Sequence, residues 1–249
     1  MLSIPSVRQR GGNGGSGDPK ESLKMFTISK AWKTTYPGAV VGVLAMRDVA
    51  NPKRHPALDE RKEELGNQLR SRFAGYDRAA LKTLPTLQAY NAYYKRYKKT
   101  YHVQLQLESV VFKGKSLPHI AALVEAMFMA ELKNLLLTAG HDLEALQKPL
   151  RIDVAEGSER YIGINGQEQK LKRGDMMIVD GQGIISSVLY GPDRRTRITR
   201  ETRQVLFTVY APPGIGEQAV DEHLRNIRAN VLLVAPEAKV MMLKVYGTK

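Results

Sequence analysis

The stretch Leu189-Tyr190-Gly191-Pro192-Asp193-Arg194-Arg195-Thr196-Arg197-Ile198-Thr199 places three arginines and an aspartate between two segments that read as buried β-strands. Three readings each predict arginine at such a connection: a solvated loop, an ion-pair knot that holds the turn, and a site for an anionic group. Arginine presents a planar fork that matches phosphate or carboxylate with two parallel hydrogen bonds. On an extended chain side chains alternate, so Arg195 and Arg197 are expected on one face and Arg194 and Thr196 on the other. Tyr190-Gly191-Pro192-Asp193 reads as a turn, with Asp193 placed to receive one of the forks.

The surrounding second half is rich in strand signals. Tyr161-Ile162-Gly163-Ile164 and the run from Gln167 flank Asn165-Gly166, a strong short hairpin signal. Met176 to Val179 and Ile184 to Leu189 flank Asp180-Gly181-Gln182-Gly183, a second hairpin. Leu150 onward has period two, and Val205 to Tyr210 is a further strand. A short helix is expected from about Gly216, with Val220, Leu224 and Ile227 on one face. Val231 to Val234 and Val240 to Val245 are expected as closing strands.

The first half is mostly helical. Ala39 to Met46 is a continuous apolar run of strand length, expected to be buried on both faces. Residues 57 to 73 form an amphipathic helix with Leu58, Leu65, Leu69 and Phe73 on one face. Pro85 opens the next helix. Its stripe of Leu87, Tyr90, Tyr94, Tyr97 and Tyr101 is expected to face the core, with Lys95, Arg96 and Lys99 on the opposite side. Val103 to Leu107 alternates as a short strand. Pro118 to about Thr138 reads as a long, central, buried helix ended by Gly140 as a C′ residue. Glu125, Glu131 and Lys133 make it a poor membrane span, so no membrane partner is expected. Met1 to about Lys24 is glycine-rich with few apolar residues and is expected to be a disordered tail.

Lys plus Arg number 38 against 25 Asp plus Glu, a net charge of +13 that favours an acidic partner. There is no cysteine, which excludes disulfides, thiolate nucleophiles and Cys-type zinc sites. The five histidines show no i, i+4 or H-x-H spacing, so no metal site and no cofactor are expected. His119 and His141 are placed at the two ends of the central helix. His141-Asp142 either faces a cleft or is a solvated cap. Phe112-Lys113-Gly114-Lys115-Ser116 is not a nucleotide-binding loop, because Ser109 stands where glycine is needed. With no secretory segment in view, a cytoplasmic location is the default.

The order of these features resembles the B3/B4 domain, the tRNA-checking module of the phenylalanyl-tRNA synthetase beta subunit, and above all its free-standing relatives. The matching residues are Tyr94-Lys95-Arg96-Tyr97-Lys98-Lys99, Leu107-Glu108-Ser109, Leu117-Pro118 with Leu123-Val124-Glu125, and Gly140-His141-Asp142-Leu143. Leu150-Arg151-Ile152-Asp153, Gly174-Asp175 with Asp180, and Tyr190-Gly191 with Arg194 to Thr199 and Thr202 complete the set. The resemblance implies an α+β, three-layer domain of β-sheets packed on helices over residues 85–249, preceded by an N-terminal α/β segment at 25–84 and the tail at 1–24.

For function, it implies contact with tRNA or aminoacyl-tRNA and trans-editing of mischarged tRNA. The alternative is a small-molecule, amino-acid-like ligand held in the editing pocket without hydrolysis. His141 and Asp193 are the candidate catalytic pair. Asp142, Asp180, Tyr190, Arg194, Arg195 and Arg197 are the candidate substrate contacts, and Lys95, Arg96 and Lys99 the candidate RNA contacts. The chain departs from the editing pattern at Met127-Phe128, where that family has Thr-Asn, and at Ala139, where it has histidine.

Overall fold

The computed structural model describes residues 25–248, so the expected tail at 1–24 lies outside the described residues. Along the chain come β1 (Phe26–Ile28), α1 (Lys30–Thr35), β2 (Val40–Arg47), α2 (Pro56–Arg72), α3 (Arg78–Lys82), α4 (Pro85–Lys95) and α5 (His102–Val111). Then follow α6 (Ala122–Asn134), β3 (Leu137–Asp142), a 3-10 turn (Leu143–Ala145), β4 (Leu150–Val154), β5 (Arg160–Ile162), β6 (Glu168–Lys170) and β7 (Met176–Asp180). The chain continues through β8 (Gly183–Ser187), β9 (Gly191–Pro192), β10 (Gln204–Ala211), α7 (Glu217–Val234) and β11 (Lys239–Gly247). This is the α+β arrangement expected.

The strands form a five-stranded sheet in the order β1-β4-β7-β8-β9, a four-stranded sheet β11-β2-β10-β3, and the small hairpin β5-β6. The apolar run of β2 is buried because its strand lies inside the four-stranded sheet, paired antiparallel to β10 and to β11. Strand β1 pairs in parallel with β4. Residues 25–84 therefore supply strands to both large sheets.

Side-chain alternation sets the layers. Gly42 and Thr138 point from the four-stranded sheet toward α7, where Thr138 meets His223 at 2.7 Å. Tyr210 points the other way, and its hydroxyl bonds Ser186 of β8. Helices α6 and α7 thus cover one face of this sheet and the five-stranded sheet covers the other.

Four local expectations are corrected. Val103 to Leu107 belongs to α5, whose buried positions Val103, Gln104, Leu107, Glu108 and Val110 have helical spacing, while Leu105 is 48% exposed. The central helix is shorter than expected. Residues before Ala122 are not helical, and Ala122 and Leu123 give their free N–H groups to Pro52 O and Asn51 Oδ1. The helix ends at Leu135, which takes the left-handed conformation at φ 62°. The chain then turns back as β3, so Gly140 and His141 sit inside a strand rather than at a helix end. Val231 to Val234 continues α7, because Val231 extends the buried face of Val220, Leu224 and Ile227.

Gly42 is required by close packing. A Cβ there would overlap Val220 Cγ1 and lie 3.2 Å from Leu224 Cδ1. Val220 is β-branched and held on a helix, so it cannot swing away. Gly42→Ala is expected to cost about 1–3 kcal/mol through overpacking, read as a lower urea midpoint with an unchanged slope.

Candidate functional site

The arginine stretch is not a strand beyond Pro192. The Asp193 and Arg194 N–H groups bond Ile185 O at 2.7 Å and Ile162 O at 2.8 Å, tying the chain to β8 and β5. Asp193 Oδ1 then accepts the Thr196 N–H at 3.0 Å and the Thr196 hydroxyl as well. An aspartate bonded to the backbone a few residues on closes a turn. The turn separates the two arginines expected to share a face. Arg195 folds inward, reaching Asp180 Oδ2 at 3.0 Å and Asp193 Oδ2 at 3.4 Å, and it donates to Ala145 O at 3.0 Å. Arg197 is exposed and donates to Arg194 O at 2.8 Å. Arg194 is exposed.

Asp180 is the anchor of this knot. Its side chain is 0% exposed and accepts from the N–H groups of Gln147 at 2.9 Å, Gln182 at 2.8 Å and Gly183 at 3.1 Å. It therefore joins the turn between β7 and β8, the segment before β4, and Arg195. With Asp193 alongside, the single guanidinium serves two buried carboxylates.

His141 points from β3 into the space between the two large sheets. Neither a cleft nor a solvated cap describes it, because it is 0% exposed. Its Nδ1 lies 2.8 Å from Thr196 Oγ1. Thr196 gives its proton to the Asp193 carboxylate, so it accepts from His141 Nδ1–H. That fixes the tautomer and leaves Nε2 as a bare acceptor with no partner among the described residues. Burial and the Arg195 guanidinium lower the His141 pKa to about 3, so the imidazole is neutral near pH 7. Asp142 caps the following 3-10 turn through Glu144 N–H at 3.0 Å and accepts from Thr202 Oγ1 at 2.7 Å.

The fold thus gathers His141, Asp193 and Asp180 into one buried network, closed on the solvent side by Arg195, bridged by Thr196 and bordered by Asp142. It leaves Arg194, Arg197 and Tyr190 outside. Thr196 was not singled out in the sequence, although its place three residues after Asp193 is the spacing such a turn requires.

The expected basic helix face is not formed. Lys95 is the last residue of α4, and the chain turns away at Lys98, which has φ 56°. The Arg96 guanidinium lies 4.7 Å from the Tyr93 ring centroid and 5.0 Å from that of Tyr36. Lys99 Nζ lies 4.5 Å above the Tyr190 ring. Both cations are held by aromatic faces, an attraction of about 0.5–2 kcal/mol each. Beneath them Asp175, 0% exposed, accepts from Tyr93 OH at 2.7 Å, and burial raises its pKa to about 7. Tyr93 lies off the sequence stripe, which is why the periodicity alone did not mark it.

Asp59, His119 and Glu125 also converge, in a spacing that could hold a cation. Lys62 occupies the middle, with Nζ 2.9 Å from Asp59 Oδ1, 2.6 Å from Glu125 Oε2 and 2.7 Å from His119 Nδ1. Its ammonium pairs with both carboxylates and hydrogen-bonds the His119 ring. Elsewhere an open groove of about 830 Å³ crosses the outer face of the five-stranded sheet, with Met177, Val179 and Ile184 in its floor and Arg151, Arg160 and Arg173 along it.

Arg195→Ala strands two buried carboxylates and is expected to cost about 2–3 kcal/mol, less than a fully buried pair because Arg195 is partly wet. Arg194→Ala and Arg197→Ala should each stay within about 0.5 kcal/mol of the parent by urea unfolding. The His141 pKa is about 3 when folded, against 6.5 for the free side chain. The unfolded chain therefore binds more protons between these values, and stability is lost as pH falls from 6.5 toward 3. In His141→Asn the side-chain amide can still donate to Thr196, and the acid limb of the stability–pH curve should become shallower.

The B3/4 domain family model matches residues 87–244. No curated protein sequence matches the chain. Among solved structures, an N-terminal fragment of the phenylalanyl-tRNA synthetase beta subunit from Pyrococcus horikoshii is similar at 12% identity and a TM-score of 0.44, over 87% of this chain and 50% of that one. This chain thus spans half the length of that fragment. The family match runs from the tyrosine helix α4 into the closing strand β11 and takes in the arginine knot and the strands of both large sheets other than β1 and β2; the chain belongs to the B3/4 domain family.

Proposed function

We propose that the protein is an RNA-associated B3/4-type protein of the cytoplasm that binds tRNA or aminoacyl-tRNA. The observation that carries this reading is the distribution of charge. The chain holds a net +13, and the buried carboxylates of the arginine knot are satisfied by Arg195 and backbone N–H groups. Arg194 and Arg197 are left facing water, and neither has a carboxylate within 4.0 Å among the described residues. Exposed, uncompensated guanidinium groups favour a phosphate partner.

The geometry favours binding over hydrolysis. His141 is buried, neutral and low in pKa, which makes it a weak base at neutral pH. Trans-editing would add deacylation of a mischarged tRNA to the same contact, with His141 and Asp193 as its proposed pair. A second reading, binding of an amino-acid-like small molecule, is favoured by the groove, whose apolar floor is flanked by both arginines and carboxylates, Asp153, Glu156 and Glu159 among them.

The native protein is expected to retard tRNA in an electrophoretic shift, with affinity falling steeply between 50 and 200 mM salt. Affinity that is flat with salt, or no shift at the lowest salt, would sink the RNA reading. Release of amino acid from any member of a panel of mischarged tRNAs would establish the editing extension. A small molecule carried through purification and identified by mass spectrometry would favour the second reading.

A further inference from the structure

The loop after β2 and the loop before β10 are welded into one edge. Val49 N–H bonds Arg203 O at 3.1 Å. Asn51, only 5% exposed, donates through Nδ2 to Thr199 O at 2.7 Å and accepts through Oδ1 from Leu123 N–H at 2.9 Å. One buried amide thus fixes both loops to each other and to the start of α6. At the same end, Arg47, Gln204 and Lys239 stand in register across β2, β10 and β11.

This edge exposes Arg47, Arg197, Arg200, Arg203 and Lys239, and the same arginine loop exposes Arg194 beside the Gly166 turn. Of these six, only Arg47 has a carboxylate within 4.0 Å among the described residues, Asp48 at 3.7 Å. Arg197 and Arg203 donate to the loop carbonyls of Arg194 and Arg200, at 2.8 Å and 3.1 Å. Those bonds orient the guanidinium groups without neutralising them. The nearby acids are mostly occupied: Asp142 takes Thr202 and Glu144 N–H, and Glu144 takes Gln204 Nε2 at 3.3 Å. Glu201 is the acid that shares the arginine loop, and it offsets one of these charges.

Residues 47–54 and 191–204 contain no Phe, Tyr or Trp. Binding of single strands relies on bases stacked on aromatic rings, in addition to charge. Arginines without a stacking platform instead contact phosphates, which positions a nucleic acid without reading its bases. The other basic face differs, since Arg96 and Lys99 are engaged by tyrosine rings.

We infer that the edge formed by the 47–54 and 194–203 loops takes the phosphate backbone of a double-helical RNA stem, and that the Lys95–Lys99 face does not. This rests on the reading that the protein associates with RNA. The combined variant Arg194→Gln, Arg197→Gln, Arg200→Gln, Arg203→Gln removes four phosphate contacts from residues outside the buried knot. At about 0.9 in the log–log salt slope per contact on a duplex, the slope should flatten by about 3 to 4, with affinity at 50 mM salt down at least about tenfold.

The probes are a fluorescent RNA hairpin stem, a single strand of the same length, and whole tRNA, read by anisotropy. A second variant, Lys95→Gln, Lys98→Gln, Lys99→Gln, removes charge from the other face and should bind the stem within about threefold of the parent. Should the fourfold variant melt early, Arg194→Glu with Arg200→Glu reads the same outcome, because neither side chain makes a hydrogen bond among the described residues. A fourfold variant that binds the stem as the parent does, a parent that binds the single strand as tightly as the stem, or loss of binding in the lysine variant would overturn the inference while leaving RNA association standing. A parent that binds neither stem nor tRNA would overturn both.

Discussion

Buried tyrosine hydroxyls govern how the layers of this protein meet. Tyr90 is fully buried, and its hydroxyl donates to Tyr210 O of β10 at 2.5 Å while accepting from Leu137 N–H of β3 at 2.8 Å. Tyr94 donates to Val188 O just after β8, at 2.8 Å, and Tyr93 donates to Asp175 just before β7. A phenol that enters an apolar interior without a partner loses about 1–3 kcal/mol of solvation. Each of these hydroxyls therefore confines α4 to the one position where both sheets offer acceptors. Tyr101, beyond the helix, folds back to stack on Tyr90 at 4.1 Å and donates to Leu135 O at 3.1 Å. That carbonyl belongs to the residue where α6 ends, so the same cluster also fixes where the central helix gives way to β3.

The position of β3 in turn creates the arginine knot. Once β3 is paired to β10, His141 faces the five-stranded sheet, and Asp142 N–H bonds Thr196 O at 2.7 Å. Asp193, Thr196 and His141 then form a chain of donors and acceptors, and Arg195 pairs with both carboxylates beside it. The knot consumes Arg195 and releases Arg194 and Arg197 to the surface. A run of similar residues is thereby divided between holding the fold and facing a partner. The division follows from which guanidinium can reach a buried carboxylate.

Much of the architecture was legible in the chain. The Asn165-Gly166 and Asp180 to Gly183 turns, the apolar run of β2 and the amphipathic α2 all carry local signals strong enough to fix their type. The misread segments share a cause. Val103 to Leu107 and Val231 to Val234 are short apolar runs whose period fits a strand or a helix, and their neighbours settled the choice. Leu135 carries no breaker, so nothing in its identity announced the left-handed turn that ends α6. For the candidate site, the sequence marked Asp193, Arg195 and His141 and offered Asp193 as the partner of an arginine fork, but it did not separate Arg195 from Arg197 or join His141 to them. Thr196 and Asn51 are ordinary polar residues until the strands bring their partners within reach.

By itself the sequence determined the charge balance, the lack of thiol chemistry, the α+β class and the resemblance to the B3/4 family. The charge balance, the lack of thiol chemistry and the α+β class follow from composition, turn chemistry and local periodicity, which need only neighbouring residues, and the resemblance rests on the order of matching motifs along the chain. The tertiary structure alone decided that His141 is buried and neutral, that Lys62 fills the centre of the Asp59, His119 and Glu125 group, and that Arg195 and Arg197 part company. Each of these depends on groups far apart in the chain, and desolvation and ion pairing act through space rather than along the backbone.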